Sequence, residues 1–117
     1  MSIKRLHTGP RMSQAVIHGD TIYLAGQVAD QAKGKSVAEQ TKEILATVDR
    51  LLAEAGSDKT KLLSTTIYLA DMATFAEMNS VWDVWVPAGA APARATVEAK
   101  LAAAPYTVEI ACIAAKA

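Results

Sequence analysis

ARATVEAKL, residues 93–101, and YTVEIACIA, residues 106–114, read as two strands near the end of the chain. The first alternates cleanly. Arg94, Thr96, Glu98 and Lys100 share one face, and Ala95, Val97, Ala99 and Leu101 share the other. The second alternates less cleanly: Val108, Ile110 and Cys112 oppose Thr107, Glu109, Ala111 and Ile113. Working back from them, Phe75, Met78, Trp82 and Trp85 fall on one helical face, with a capping-box pattern at Thr74–Glu77 and a stop at Pro87 and Gly89. Before that helix, Lys61–Ala70 is a β-branched apolar run of strand length, ended by Asp71. Ser36-Val37-Ala38-Glu39 is a capping box ahead of Val37, Ile44, Val48, Leu51, Leu52 and Ala55 at helical spacing, and Gly56 supplies the left-handed stop. Residues 30–35 form a polar loop. Gly19-Asp20 turns a hairpin spanning about Gln14 to Gly26, and Ile3–His7 supplies a first strand.

The resulting order, β-β-β-α-β-α-β-β, predicts an α+β two-layer sandwich, a mixed sheet of about six strands with both helices on one face. Two helices leave the other face uncovered. That face carries apolar residues of the last strand, such as Ile113 or Cys112, and a free apolar face of this kind marks a partner interface. A homo-oligomer with its ligand site between subunits is expected.

The chain's 117 residues, 51% hydrophobic, make a single domain over 1–117 with enough apolar material for one core. Lys and Arg balance Asp and Glu at 12 each, and the basic residues are scattered, which argues against nucleic acid and anionic membrane surfaces. One cysteine excludes an internal disulfide and a thiol zinc cluster, and two histidines make a His-rich metal site unlikely to form. No signal peptide and no membrane-length apolar run are read, so a cytoplasmic protein is expected. No glycine-rich phosphate loop, HExxH pattern or nucleophile elbow is present. Cys112, among small and apolar residues, reads as a buried thiol.

Arg94 stands out. It follows a proline and a single alanine at the start of the most regular strand. With Ala95, Val97 and Leu101 turned to the helices, its guanidinium is expected on the uncovered face. There it is either an interface ion-pair partner or a fork that grips a carboxylate. Glu109 on the next strand is either its partner or an independent acid. The two strands are candidates to pair as a hairpin, in a register the sequence leaves open.

These residues carry a family likeness. Ser13-Gln14-Ala15-Val16, Leu24-Ala25-Gly26-Gln27-Val28, Glu77-Met78-Asn79 with Trp82-Asp83, Pro92-Ala93-Arg94-Ala95-Thr96-Val97-Glu98 and Val108-Glu109-Ile110 together resemble the RidA/YjgF family of reactive-intermediate (enamine/imine) deaminases. The likeness covers about Arg11 to Ala115, and its wording is closer to the short YoaB-like branch. It implies a YjgF/chorismate-mutase-like fold and a homotrimer with a cleft at each interface. It also implies hydrolysis of 2-imino acids to 2-keto acids and ammonia without a cofactor. In that reading Arg94 binds the substrate carboxylate and Glu109 positions the attacking water. Asn79, Thr96, Gly26, Ala25, Met12 and Arg11 accompany them around the cleft. Four positions depart from the family pattern: Met12 replaces the usual aromatic, Ala25 a hydroxyl, Thr96 a cysteine or serine, and Ala111 a second glutamate. Arg11 is a candidate second cation, suited to a dicarboxylate. The competing reading is a non-catalytic trimer that binds metabolite carboxylates or other proteins. An RNA-cleaving activity is disfavoured by the neutral charge.

Overall fold

A computed structural model describes all 117 residues. The elements run β1 (Ile3–Thr8), β2 (Ser13–His18), β3 (Thr21–Leu24), α1 (Val37–Glu54), β4 (Leu62–Leu69), α2 (Phe75–Trp85), β5 (Ala93–Glu98) and β6 (Val108–Ala115). They form one six-stranded sheet in the order β1-β2-β3-β6-β4-β5, in which only β4 and β5 are parallel. The expected two-layer α+β sandwich is the fold found.

The core lies between the sheet and the helices. Central β6 buries Val108, Ile110, Cys112 and Ala114 against the helices and turns Glu109, Ala111, Ile113 and Ala115 to the other face. Helix α1 starts at Ser36, whose hydroxyl accepts the Glu39 N–H at 3.1 Å, and buries Ile44, Val48 and Leu52 completely. Gly56 follows at φ 85°, a conformation that favours glycine. The opposite sheet face is bare in the single chain. Tyr23 stays 46% exposed there and Val97 41%.

Six expectations change. The glutamate of the first capping box accepts the Ser36 hydroxyl rather than the serine amide. The second box does not form: Thr74 makes no cap, Asp71 caps a short 3₁₀ turn (Met72–Thr74), and Glu77 accepts the Ala38 N–H at the start of α1. Cys112 lies under the helices, not on the bare face; Ile113 alone of that pair faces outward. The strand read from residue 93 ends at Glu98, and β5 and β6 make no hairpin, because β4 lies between them.

The sixth change bears on the site. The two faces of β5 are exchanged: Arg94 and Thr96 turn inward toward α2, while Ala95 and Val97 face outward. The polar set has partners inside. Arg94 meets α2, and Glu98 accepts the Met72 N–H at 3.0 Å. The apolar set continues the bare apolar face instead.

Candidate functional site

Arg94 sits on β5, an edge strand, opposite Thr65 of β4. Phe75, Asn79 and Trp82 recur at i, i+4 and i+7, so α2 presents them as one stripe. The stripe lies over the arginine. Its guanidinium carbon is 5.3 Å from the Trp82 ring centre and 5.7 Å from that of Phe75, and Nη1 donates to the Asn79 Oδ1 at 2.7 Å. No carboxylate pairs with it; the chain's one ion pair joins His7 and Glu54 on the far side of the sheet order. A guanidinium carries five N–H donors, so most of this fork remains free for another acceptor. Thr96 follows on the same face, its hydroxyl sealed from solvent without a partner. What it can offer a ligand is the backbone of an edge strand.

Glu109 builds a second cluster on the bare face of β6. Its carboxylate lies against Gly26, where a Cβ would come within 2.2 Å of Oε2. Only glycine fits that approach. The segment is held by a two-way bridge, Gln27 N–H to Ile110 O at 2.8 Å and Ile110 N–H to Gln27 O at 3.1 Å. The Gln27 amide, almost fully buried, donates to Gln14 Oε1 and to Ala25 O, each at 2.9 Å, which fixes the Ala25–Gly26 bend. The Glu109 oxygens make no hydrogen bond or ion pair within the chain and remain free. Met12 and Arg11, both exposed, lie in the β1–β2 turn closed by Gly9 N–H to Met12 O. Because the Ala25 N–H donates to Gln14 O, that turn stands at the same end of the sheet as Gly26.

One chain does not bring the two clusters together. Arg94 is level with Thr65 and Cys112, whereas Glu109 is level with Tyr68, three residues further along and on the opposite face. The chain has four cavities, the largest 630 Å³ between α1 and α2, and neither Arg94 nor Glu109 lines any of them. No group of three or more His, Cys, Asp or Glu side chains is placed to hold a metal ion. The structure thus joins Arg94 with Asn79 and Thr96, and Glu109 with Gly26 and Ala25. Sequence reasoning put Phe75 and Trp82 on one helical face, and Trp82 in the family wording, without linking either to Arg94. Their signal was the asparagine set between them at helical spacing.

Comparison with known proteins gives a consistent picture. The family model described as Endoribonuclease L-PSP matches residues 2–116. A RutC family protein of Haemophilus influenzae is 46% identical, the match covering 97% of this chain and 98% of that protein. The RutC family protein YoaB of Escherichia coli is 44% identical over 98% of this chain and 99% of its own length. A crystal structure of a YjgF family member from Neisseria meningitidis superposes with a TM-score of 0.97 at 50% identity, covering 100% of this chain and 97% of that one. More distantly, a rat protein named 2-iminobutanoate/2-iminopropanoate deaminase is 35% identical, the match covering 87% of this chain and 77% of that protein.

Proposed function

Because the chain belongs to the Endoribonuclease L-PSP family, which takes in its RutC and YjgF relatives, we propose that it is an enamine/imine deaminase acting on 2-imino acids in a homotrimer. The observation that carries this reading is the pair of half-sites. An arginine with free donors and no acid partner stands on one edge, and a glutamate with free oxygens stands on the bare face. Neither half has a closed cavity of its own. A head-to-tail ring of three copies would set the Arg94 half of one subunit against the Glu109 half of the next. The bare apolar face, with Tyr23 and Val97 partly exposed, is the surface such a ring would cover.

The chemistry asked of the site is modest. The enamine tautomerises to the imine. Arg94 grips the carboxylate through two parallel N–H donors and fixes the neighbouring imine carbon. Water held by Glu109 attacks that carbon. The glutamate takes the water's proton, a C–O bond forms, and the C=N π electrons become a lone pair on nitrogen. The proton then passes to that nitrogen to give a carbinolamine. Glu109 next moves the carbinolamine's O–H proton to the nitrogen, the O–H electrons form C=O as the C–N bond breaks, and ammonia leaves a 2-keto acid. The departures at Met12 and Ala25 make the cleft wall more apolar than in the usual pattern, which bears on the substrate side chain rather than on the carboxylate grip.

The deciding comparison is a coupled assay in which an amino-acid oxidase generates 2-imino acids and release of the 2-keto acid is followed with and without this protein. Glu109→Gln should lower turnover about 10²- to 10⁴-fold, the usual span of a general acid–base group, while binding the 2-keto acid at least as tightly as the parent. Binding holds or tightens because a negative charge near the carboxylate is removed. Parent rates in Glu109→Gln would mean that the carboxylate has no chemical role, leaving a water held by backbone alone or, where the parent adds nothing to the spontaneous rate, a carboxylate-binding module. The balanced, scattered charge of 12 basic and 12 acidic residues disfavours an RNA substrate.

A further inference from the structure

We propose that Phe75 and Trp82 are positioning residues for Arg94, an aromatic clamp that holds its guanidinium in one plane ready for a two-point grip on a carboxylate. The proposal rests on the reading of Arg94 as the carboxylate ligand given above. Phe75 does not earn its place in the core: it is 40% exposed, on the exposed side of α2 relative to fully buried Met78. What its ring meets is the guanidinium, at 5.7 Å, with Trp82 meeting it at 5.3 Å. Both rings are within cation–π range of the guanidinium, and only one of its five N–H donors is spent, on Asn79.

The clamp is itself braced. The Trp85 ring centre lies 5.4 Å from that of Trp82, its indole N–H donates to Asp49 at 3.0 Å, and the Lys59 ammonium lies 5.1 Å from its ring centre. Thus α1, through Asp49, holds Trp85, and Trp85 packs against the Trp82 ring that lies over the arginine. An arginine held in this way does not have to be ordered by its ligand, and the gain applies alike to bound substrate and transition state. It should therefore appear in binding and KM rather than in kcat.

Phe75 is the chain's one phenylalanine, so biosynthetic replacement of phenylalanine by fluorinated analogues alters this position alone. Fluorination drains the ring's negative face with little change of shape. Binding of 2-oxobutanoate, measured by calorimetry on the intact protein, should weaken progressively from phenylalanine through trifluoro- to pentafluorophenylalanine, by about three- to tenfold in all. KM should follow with kcat within about twofold. A flat series, alongside loss of binding in Arg94→Ala, would overturn the clamp and leave the carboxylate reading standing. A kcat that fell in step with affinity would also overturn it, because a pre-ordered grip acts on bound substrate and transition state alike. Undiminished binding in Arg94→Ala would overturn both the clamp and the reading beneath it.

Discussion

Gly26 and Glu109 are separated by most of the chain yet share one point in space. A methyl group at residue 26 would lie 2.2 Å from the Glu109 Oε2, closer than real contacts allow, and the residue is otherwise exposed and outside the left-handed region. Gly26→Ala should consequently leave the fold intact and displace the carboxylate. We expect a fall in turnover comparable to that of Glu109→Gln, on the order of 10²-fold, with an unchanged far-ultraviolet spectrum and thermal midpoint within a few degrees. A fully active Gly26→Ala protein would mean that the carboxylate has no fixed job. At this scale the sequence singled out candidates, Arg94 and Glu109 from strand faces and motif wording, Asn79 and Gly26 from motif wording. It did not reveal which of them touch. The contact of Arg94 with Asn79 follows from α2 crossing over β5, and that of Gly26 with Glu109 from the Gln27–Ile110 bridge, both products of tertiary packing.

Periodicity with turn and cap signals identified the six strands and two α-helices, because a β-branched apolar run over Lys61–Ala70 and helical spacing at Val37–Glu54 are local signals. It assigned the faces of β5 wrongly. The rule that the apolar side turns inward assumes that the other side meets water, and here the outward side is itself apolar at Ala95 and Val97. The pairing of β5 was also unreadable as a hairpin for a physical reason. The sequence β4–α2–β5 makes a parallel unit, and nine residues, 99–107, then carry the chain past β4 to β6. That connection is tethered by Tyr106, whose hydroxyl donates to Asp30 at 2.6 Å, and by Gln40, which donates to Pro105 O and accepts the Thr107 N–H. The hydrogen bond to Asp30, aided by desolvation and by the carboxylate's charge, raises the Tyr106 pKa above its ordinary 10.0. The fold therefore favours the neutral phenol. Its stabilisation is fully present below the ordinary tyrosine value and is lost as pH rises through the higher folded value. In urea titrations Tyr106→Phe should be less stable than the parent at pH 8, with the gap closing above pH 10. A gap that persisted unchanged at pH 11 would show that the hydroxyl's proton does not matter.

At the scale of the molecule, two observations point the same way. The six-stranded sheet has helices on one face only, and the two candidate clusters lie on opposite sides of it, at different levels along the strands. A working site made of both needs a second copy of the chain, whose Arg94 edge approaches the Glu109 face of the first. Subunit mixing tests this most directly. Arg94→Ala and Glu109→Gln proteins, each inactive alone, would be combined in equal amounts, dissociated and reassembled, and assayed for imine hydrolysis. In a ring of shared sites, one interface in about four receives an intact arginine from one neighbour and an intact glutamate from the other, so activity should return to about a quarter of the parent value. If both residues served from the same subunit, no mixture could restore a site. A reassembled mixture as inactive as its two components would contradict the shared site.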